Sequence, residues 1–582
     1  MRAPFFDIKD EPDYRTLGFQ PQPMVRWLSP RGLMITGGMV GVSGIFGAYA
    51  DKREMQAALK EPSDLDLSAK DELWLDFMAD TGDGFNPTYA VARALAEPSI
   101  DLTDGSGTTH LTPRGDVLLL GGDIAYPAAS LIEFNNRFHG PFRTAFPEVA
   151  EGEERPLMLA VAGNHDWLDG LTSFLRVFTD QARIGAWQTR QTRSYFITKL
   201  PHDWWLVCPD FAFDYFIDIP QMDFFRKVAK EQMKPGDKVI LSLHRPYWLF
   251  GPLHSDPLLY APDSDSNLHK FEREIIAANG LRMPLVLAGD IHHYNRYVSA
   301  SGQQRIVSGS GAAFIYPTHN LPEAFRWADR GRLAEFERKA IYPDAAASRR
   351  ARWGTLLAPF KNPSFVFFVG AIYLFFALLI RFGIAAGQGE RFHTKLQLLG
   401  PEDLIQVLFN SPVSFFAIAV IGAGIVIFTD AKSWPRRIII GVIHGDLHLL
   451  LIVTTVWLIG RSLPAMDPTL YALTFGTIVL VIGGYLGAQL FAIYLFLMQA
   501  LFKRHATHSF SSQHLQDYRS FIRLRFDRDG GLTLFPIGMR KVPRKWRYVA
   551  DREPTDPWFE PVDREIECQL IEEPFRIEPD AD

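Results

Sequence analysis

Cysteine is almost missing from this 582-residue chain: only Cys208 and Cys568 occur, far apart and without CxxC spacing. A disulfide framework or a thiolate zinc site is therefore not expected, and a reducing compartment fits. A strong charge of one sign is also lacking. The formal net charge is -6 with no basic domain or stripe, so nucleic-acid binding is not expected. The opening residues, MRAPFFDIKDEPDYR, contain no apolar core and do not read as a secretory signal. Neither a Gly-x-Ser-x-Gly elbow nor a P-loop lysine motif occurs, and with them go the usual marks of a serine nucleophile or a nucleotide-phosphate cradle.

What is present divides sharply along the chain, and the length suits two or three folding units. Residues 1–30 read as an extended arm. Leu33 to Ala50 is apolar but holds glycines at 37, 38, 41, 44 and 47, which weaken a helix, so a buried or membrane-surface helix is expected there rather than a span. From 70 to 320, short apolar runs alternate with helical stretches: LWLDFMAD, DVLLLGGD, LMLAVAGNHD, KVILSLH and PLVLAGD. Each run ends in a cluster containing Asp, Asn or His. That is the pattern of α/β sheets, which bind ligands beyond the carboxyl ends of their strands.

After Pro363 the character changes. Ser364–Gly387, Ser414–Thr429, Ile438–Gly460 and Leu470–Phe502 are apolar runs with few charges, and four membrane helices are the simplest count. The second run is short and the fourth long. Basic residues flank them unevenly. Arg349, Arg350, Arg352 and Lys361 precede the first, Lys432, Arg436 and Arg437 fill the second loop, and Lys503 and Arg504 follow the fourth. The opposite loops hold Arg391, Lys395 and Arg461. This bias puts both termini and the soluble domain in the cytoplasm. Beyond the spans, Ile522, Leu524 and Phe526 alternate with arginines before an Asp529-Gly530 turn, a β-hairpin able to dock on the soluble domain. The expected domains are an arm and helix (1–60), a catalytic α/β domain (61–350), a membrane region (364–502) and a cytoplasmic hairpin-containing tail (505–582).

The strand ends carry the chemistry. Asp80 closes the first, Gly122-Asp123 the second, Gly163-Asn164-His165-Asp166 the third, His244 the fourth and Gly289-Asp290-Ile291-His292-His293 the fifth. Carboxylate and imidazole together suit Zn, Mn or Fe, whereas an all-oxygen set would suit Mg or Ca. In order and spacing these strings resemble the metallophosphoesterase superfamily, which includes calcineurin-like and purple acid phosphatases. The resemblance covers about residues 70–315, and Gly-Asn-His-Asp is its most specific element. It implies an α/β fold, a β-sandwich flanked by helices, and two divalent or mixed-valence metal ions (Mn, Fe or Zn). Asp80 and His292 would bind the first ion, Asn164 and His244 the second, and Asp123 both. His165 would stabilise phosphoryl charge or protonate the leaving group, with Asp166 setting its orientation. The implied reaction is phosphoester hydrolysis by metal-activated hydroxide.

Two departures stand out. Gly82 replaces the common second histidine, as in purple acid phosphatases, whose ligating tyrosine Tyr126 also matches. Asp290 stands where Gly-His-x-His has its first histidine, and is carried as a candidate ligand. Asp83 reads as a turn residue, and Tyr247-Trp248-Leu249-Phe250 either lines a pocket, rests on the membrane or packs in the core. His444 and His448, with Asp446 between them, share a face of the third span, where they suit interhelical hydrogen bonds or a further site. The expected partners are a phosphoester substrate and the lipid bilayer. The alternative function is a transporter or receptor-like membrane protein regulated by an inactive soluble domain.

Overall fold

The computed structural model describes residues 7–9, 13–32, 34, 56, 64–179, 182–210, 217–249, 262–329, 332–385 and 392–579. Leu33 to Ala50, apart from Met34, lies outside them, as does Phe250.

Two mixed sheets pack face to face. The first holds β1 (Leu73–Met78), β2 (Val117–Leu120) and β3 (Leu157–Ala160), mutually parallel in that order. The second holds β4 (Trp204–Cys208), β5 (Lys238–Ser242), β6 (Arg282–Ala288) and β7 (Gln304–Ser308), also parallel neighbours. The five apolar runs read from the sequence are β1, β2, β3, β5 and β6. Both faces of the first sheet are covered, so its strands are apolar almost throughout. Along β1, Leu73, Leu75 and Phe77 point into the core between the sheets, where they meet Leu206, Ile240, Leu285 and Leu287. Trp74 and Met78 point outward to the layer containing α1 (Phe85–Ala96). Tyr247, Trp248 and Leu249 are core residues on the outer side of the second sheet.

The C-terminal tail completes this fold. Its hairpin, β8 (Arg519–Phe526) and β9 (Leu532–Met539), adds to the first sheet, with β8 antiparallel to β1. Ile522, Leu524 and Phe526 join the inter-sheet core. On the opposite face Arg523 lies across from Asp76 and grips it with two bonds, Nε to Oδ1 at 2.7 Å and Nη2 to Oδ2 at 3.2 Å, both side chains being buried. The division at residue 505 thus separates in sequence what one sheet joins in space.

Between the two halves of this soluble unit lie the apolar helices. Three are long and apolar enough to cross a membrane: α2 (Pro363–Ala385), α5 (Trp434–Ser462) and the helical run Pro468–Phe502, denoted α6. The expected second span is a bent pair, α3 (Pro401–Asn410) and α4 (Pro412–Phe428), turned by 94° at Ser411. Pro412 starts α4 and cannot donate the backbone bond that would continue α3. Among the described residues the count is therefore three spans, or four if the bent pair makes one.

Candidate metal centre

Each candidate residue sits just past a strand end: Asp80 after β1, Asp123 after β2, Asn164 and His165 after β3, His244 after β5, Asp290 and His292 after β6. Asp80, Asp123 and Asp290 all adopt the left-handed conformation, with φ of 58°, 53° and 65°. Aspartate tolerates this region better than most residues, though each still costs on the order of 1 kcal/mol. The loops are locked by backbone bonds, Asp80 N–H to the Gly122 carbonyl at 3.0 Å and Thr81 N–H to the Asp123 carbonyl at 3.1 Å. Glycine is required where the loops press together. A Cβ on Gly163 would lie 2.1 Å from Asp123 Oδ1, and one on Gly122 2.4 Å from His244 Nδ1.

The side chains gather around Asp123. Its Oδ2 accepts from the Tyr126 hydroxyl at 3.0 Å, and that hydroxyl also lies 3.2 Å from Asp80 Oδ1 and 3.2 Å from His292 Nε2. Its Oδ1 lies 3.4 Å from His244 Nε2, which is 3.0 Å from Asn164 Oδ1 and 3.5 Å from Asp290 Oδ1. Asp123 thus stands between two groups, one of Asp80, His292 and Tyr126, the other of His244, Asn164 and Asp290. Asp80, Asp123 and His244 offer donor atoms within 4.8 Å of one another, all buried.

The imidazoles are held from behind. His244 Nδ1 donates to the Gly121 carbonyl at 2.9 Å and His292 Nδ1 to that of Phe314 at 2.6 Å. These carbonyls take the Nδ1 protons and aim both Nε2 atoms at the cluster, the arrangement that suits metal ligands once Nε2 is unprotonated. His165 Nδ1 donates to the Pro127 carbonyl at 2.6 Å, and its Nε2 is 4.0 Å from Asp123 Oδ2. Asp166, expected to orient His165, is turned away: its oxygens accept the Ile124 and Gly163 N–H groups at 3.1 and 2.8 Å. It shapes the loop, and Pro127 fixes the ring. Asp83 is more than a turn residue, since its carboxylate accepts from Val25 N–H at 2.7 Å and Phe314 N–H at 3.2 Å, tying the N-terminal arm to the site.

The electrostatics call for a cation. Burial, and then the Asp123 and Asp290 charges against the pull of His244, hold Asp80 well above the usual carboxylate range, and its buried Oδ2 has no hydrogen-bond partner among the described residues. Burial opposes charge on His244, yet Asp123 and Asp290 outweigh it and lift the imidazole to about 10. Burial would raise Asp290 too, but Arg245, 3.5 Å from its Oδ2, and His244 keep it well below the usual range. Buried carboxylates, an orphaned oxygen and two aimed Nε2 atoms fit hard or borderline metal ions.

Sequence reasoning missed Arg245, although it adjoins His244, and it missed Trp27, whose ring stands edge-on to Tyr126, His165 and Phe314 at 5.9, 5.8 and 5.6 Å. No local pattern marks either residue. In the bundle, His448 Nδ1 pairs with the Tyr373 hydroxyl at 2.9 Å, while His444 stacks on Tyr494 at 3.9 Å between centroids and neither of its ring nitrogens has a hydrogen-bond partner among the described residues. Both histidines and Asp446 line an otherwise apolar cavity of about 630 Å³ between α2, α4 and α5.

The chain is similar to GAP50, the anchor in the inner membrane complex of Plasmodium, at 13% identity and a TM-score of 0.28, over 42% of this chain and 74% of that one. No curated protein matches it. The model of the calcineurin-like phosphoesterase family matches residues 73–294, the span from the start of β1 to just beyond His292 and His293. Residues 73–294 are a calcineurin-like phosphoesterase domain.

Proposed function

We propose that this protein is a membrane-anchored phosphoric-ester hydrolase with a dinuclear metal centre. The observation that carries the reading is the placement of Asp123 between two donor groups. Asp80, His292 and Tyr126 would hold one ion, and His244, Asn164 and Asp290 the other, with Asp123 shared. Bound there, the two ions would supply Lewis acidity and a water acidic enough to serve as nucleophile near neutral pH.

The chain's own residues do the rest. The Gly121 and Phe314 carbonyls orient the two imidazoles, and Pro127 holds the His165 ring with Nε2 toward the cluster. His165, partly exposed at the open side, is placed to donate a proton to the leaving alkoxide or to steady charge on a phosphoryl oxygen. Arg245 offsets the extra negative charge that Asp290 brings.

Anchoring follows from parity. A chain whose soluble parts share one sheet, as β1 and β8 do, crosses a bilayer an even number of times. With α2, α5 and α6 crossing, α4 supplies the fourth passage. Its 17 residues give about 25 Å, just short of the roughly 30 Å hydrocarbon layer, and α3 lies across its far end. The basic loops support a cytoplasmic side for the catalytic domain and both termini.

The test is hydrolysis of aryl phosphomonoesters and diesters by the purified full chain loaded with Mn, beside metal content. Turnover should need metal and vanish in His165→Ala and Asp123→Ala. Stoichiometric metal without turnover of any phosphoester would overturn the enzyme reading and leave the regulatory one.

A further inference from the structure

The metal cluster lies against the membrane bundle, and three independent connections set how closely. The first is the N-terminal arm. Val25 packs with Tyr126 and Ala313 beside the cluster, Trp27 stands against Tyr126 and His165, and Leu28 is buried in the core of the membrane helices. Three peptide steps separate Val25 from Leu28, so their Cα atoms are at most about 11 Å apart. The second is Tyr316. Its ring meets His292 edge-on at 5.0 Å, and its hydroxyl pairs with that of Thr507 at 2.7 Å, in the short helix Ala506–Ser511 just after α6 ends at Phe502. The third is His319, which pairs with Gln499 near the end of α6 at 3.0 Å.

Apolar side chains are exposed close to His165 and where the chain enters α2. Leu131 and Ile132 are 45% and 70% exposed, two and three residues beyond Ala129, whose N–H bonds the His165 carbonyl. Trp353, Leu357 and Phe360, 59%, 52% and 67% exposed, lead into α2, with Trp353 against Phe496 and Phe360 against Tyr485 of α6. Exposed apolar side chains close to His165 and at the entry to the apolar helices are costly in water. At the bilayer boundary they would rest among lipid chains.

We infer that the phosphoester hydrolysed here is borne by a membrane lipid and approaches from the bilayer surface. This rests on the hydrolase reading above. Lipid head groups occupy a layer of about 5–8 Å on each side of the hydrocarbon, which matches the short reach from Leu28 to the cluster. A lipid phosphate would come to the open side, where His165 and Asp290 are partly exposed, without leaving the membrane. The balanced step is hydrolytic: water adds to phosphorus, the P–O bond to the lipid or head-group oxygen breaks, and that oxygen takes a proton. No other co-reactant is consumed.

The experiment pairs each lipid with its deacylated counterpart. Full-length protein in Mn is given phosphatidic acid or phosphatidylglycerol in phosphatidylcholine vesicles, glycerol 3-phosphate or glycerophosphoglycerol in solution, and an aryl phosphate. For one ester class, the acylated substrate should exceed its deacylated partner in kcat/KM by about tenfold or more, because binding of the chains lowers the barrier to reaction. Leu131→Ser with Ile132→Ser should pull that ratio toward one. Aryl phosphate turnover without preference for an acylated substrate would overturn the lipid assignment and leave the hydrolase standing. Failure of every arm with metal bound would overturn the hydrolase and the lipid assignment with it.

Discussion

Histidine and aspartate meet at two places in this protein, and the comparison shows what makes a site. At the strand ends, donor atoms from β1, β2, β3, β5 and β6 converge on one carboxylate, and a backbone carbonyl behind each of His244 and His292 fixes its proton. In the bundle, His444, Asp446 and His448 all come from one helix. One histidine pairs with the Tyr373 hydroxyl and the other stacks on Tyr494, and among the described residues no backbone carbonyl is bonded to either ring. The residue types are alike, but only the first place has support from several directions.

The largest expected effect follows from removing the shared carboxylate. Asp123→Ala should lower phosphoester turnover by about 10³-fold or more, with loss of bound metal by elemental analysis, whereas His444→Ala with His448→Ala should leave aryl phosphate turnover within about twofold. Comparable losses from both would erase the distinction. A next step breaks the tail from the catalytic sheet. Arg523→Met leaves the buried Asp76 without its arginine, with the Gly115 N–H still bonded to it, and should cost about 3–5 kcal/mol in chemical denaturation, with much of it regained in Asp76→Leu, Arg523→Met. An Arg523→Met protein with unchanged stability would mean the hairpin adds little to the sheet.

Gly163→Ala keeps every donor yet forces a methyl onto Asp123. It should weaken metal binding by about 10- to 100-fold, read by titration of the metal-free protein. Unchanged affinity would show that the loop gives way and that its fit is not what shapes the site. The smallest effect is one of pH, at the junction of the two regions. Burial, aided by nearby basic side chains, holds His319 and His514 down at about 4. Both bind protons more readily when unfolded, so stability should be full above the ordinary value of 6.5 and fall as pH drops from there toward 4. Denaturation curves across that window should flatten in His514→Gln, and an unaltered slope would assign the acid sensitivity elsewhere.

Much of this was legible along the chain. The five apolar runs are strands because short β-rich stretches covered on both faces need no polar alternation. The hairpin was marked by alternation and an Asp-Gly turn. The α/β character and the apolar helices were thus determined by local pattern, as were the order of Asp80, Asp123, Asn164, His165, His244, Asp290 and His292 along the chain and their positions at strand ends. Hydropathy is less informative at Ser411, where the bend depends on Pro412 and on how α3 lies against its neighbours.

What the tertiary structure alone decided are relations between residues far apart in sequence. Arg245 meets Asp290 and Arg523 meets Asp76 only because particular strands adjoin. Asp166 turns to the backbone and away from His165 because two N–H groups of the packed loops need an acceptor. Trp27 and Leu28 join the candidate metal centre to the apolar helices by an arm whose sequence carries no periodic signal. Local pattern reports which face of an element is buried, but not which distant element covers it. Here that choice rests on packing, which brings the phosphoesterase domain against the bundle of apolar helices.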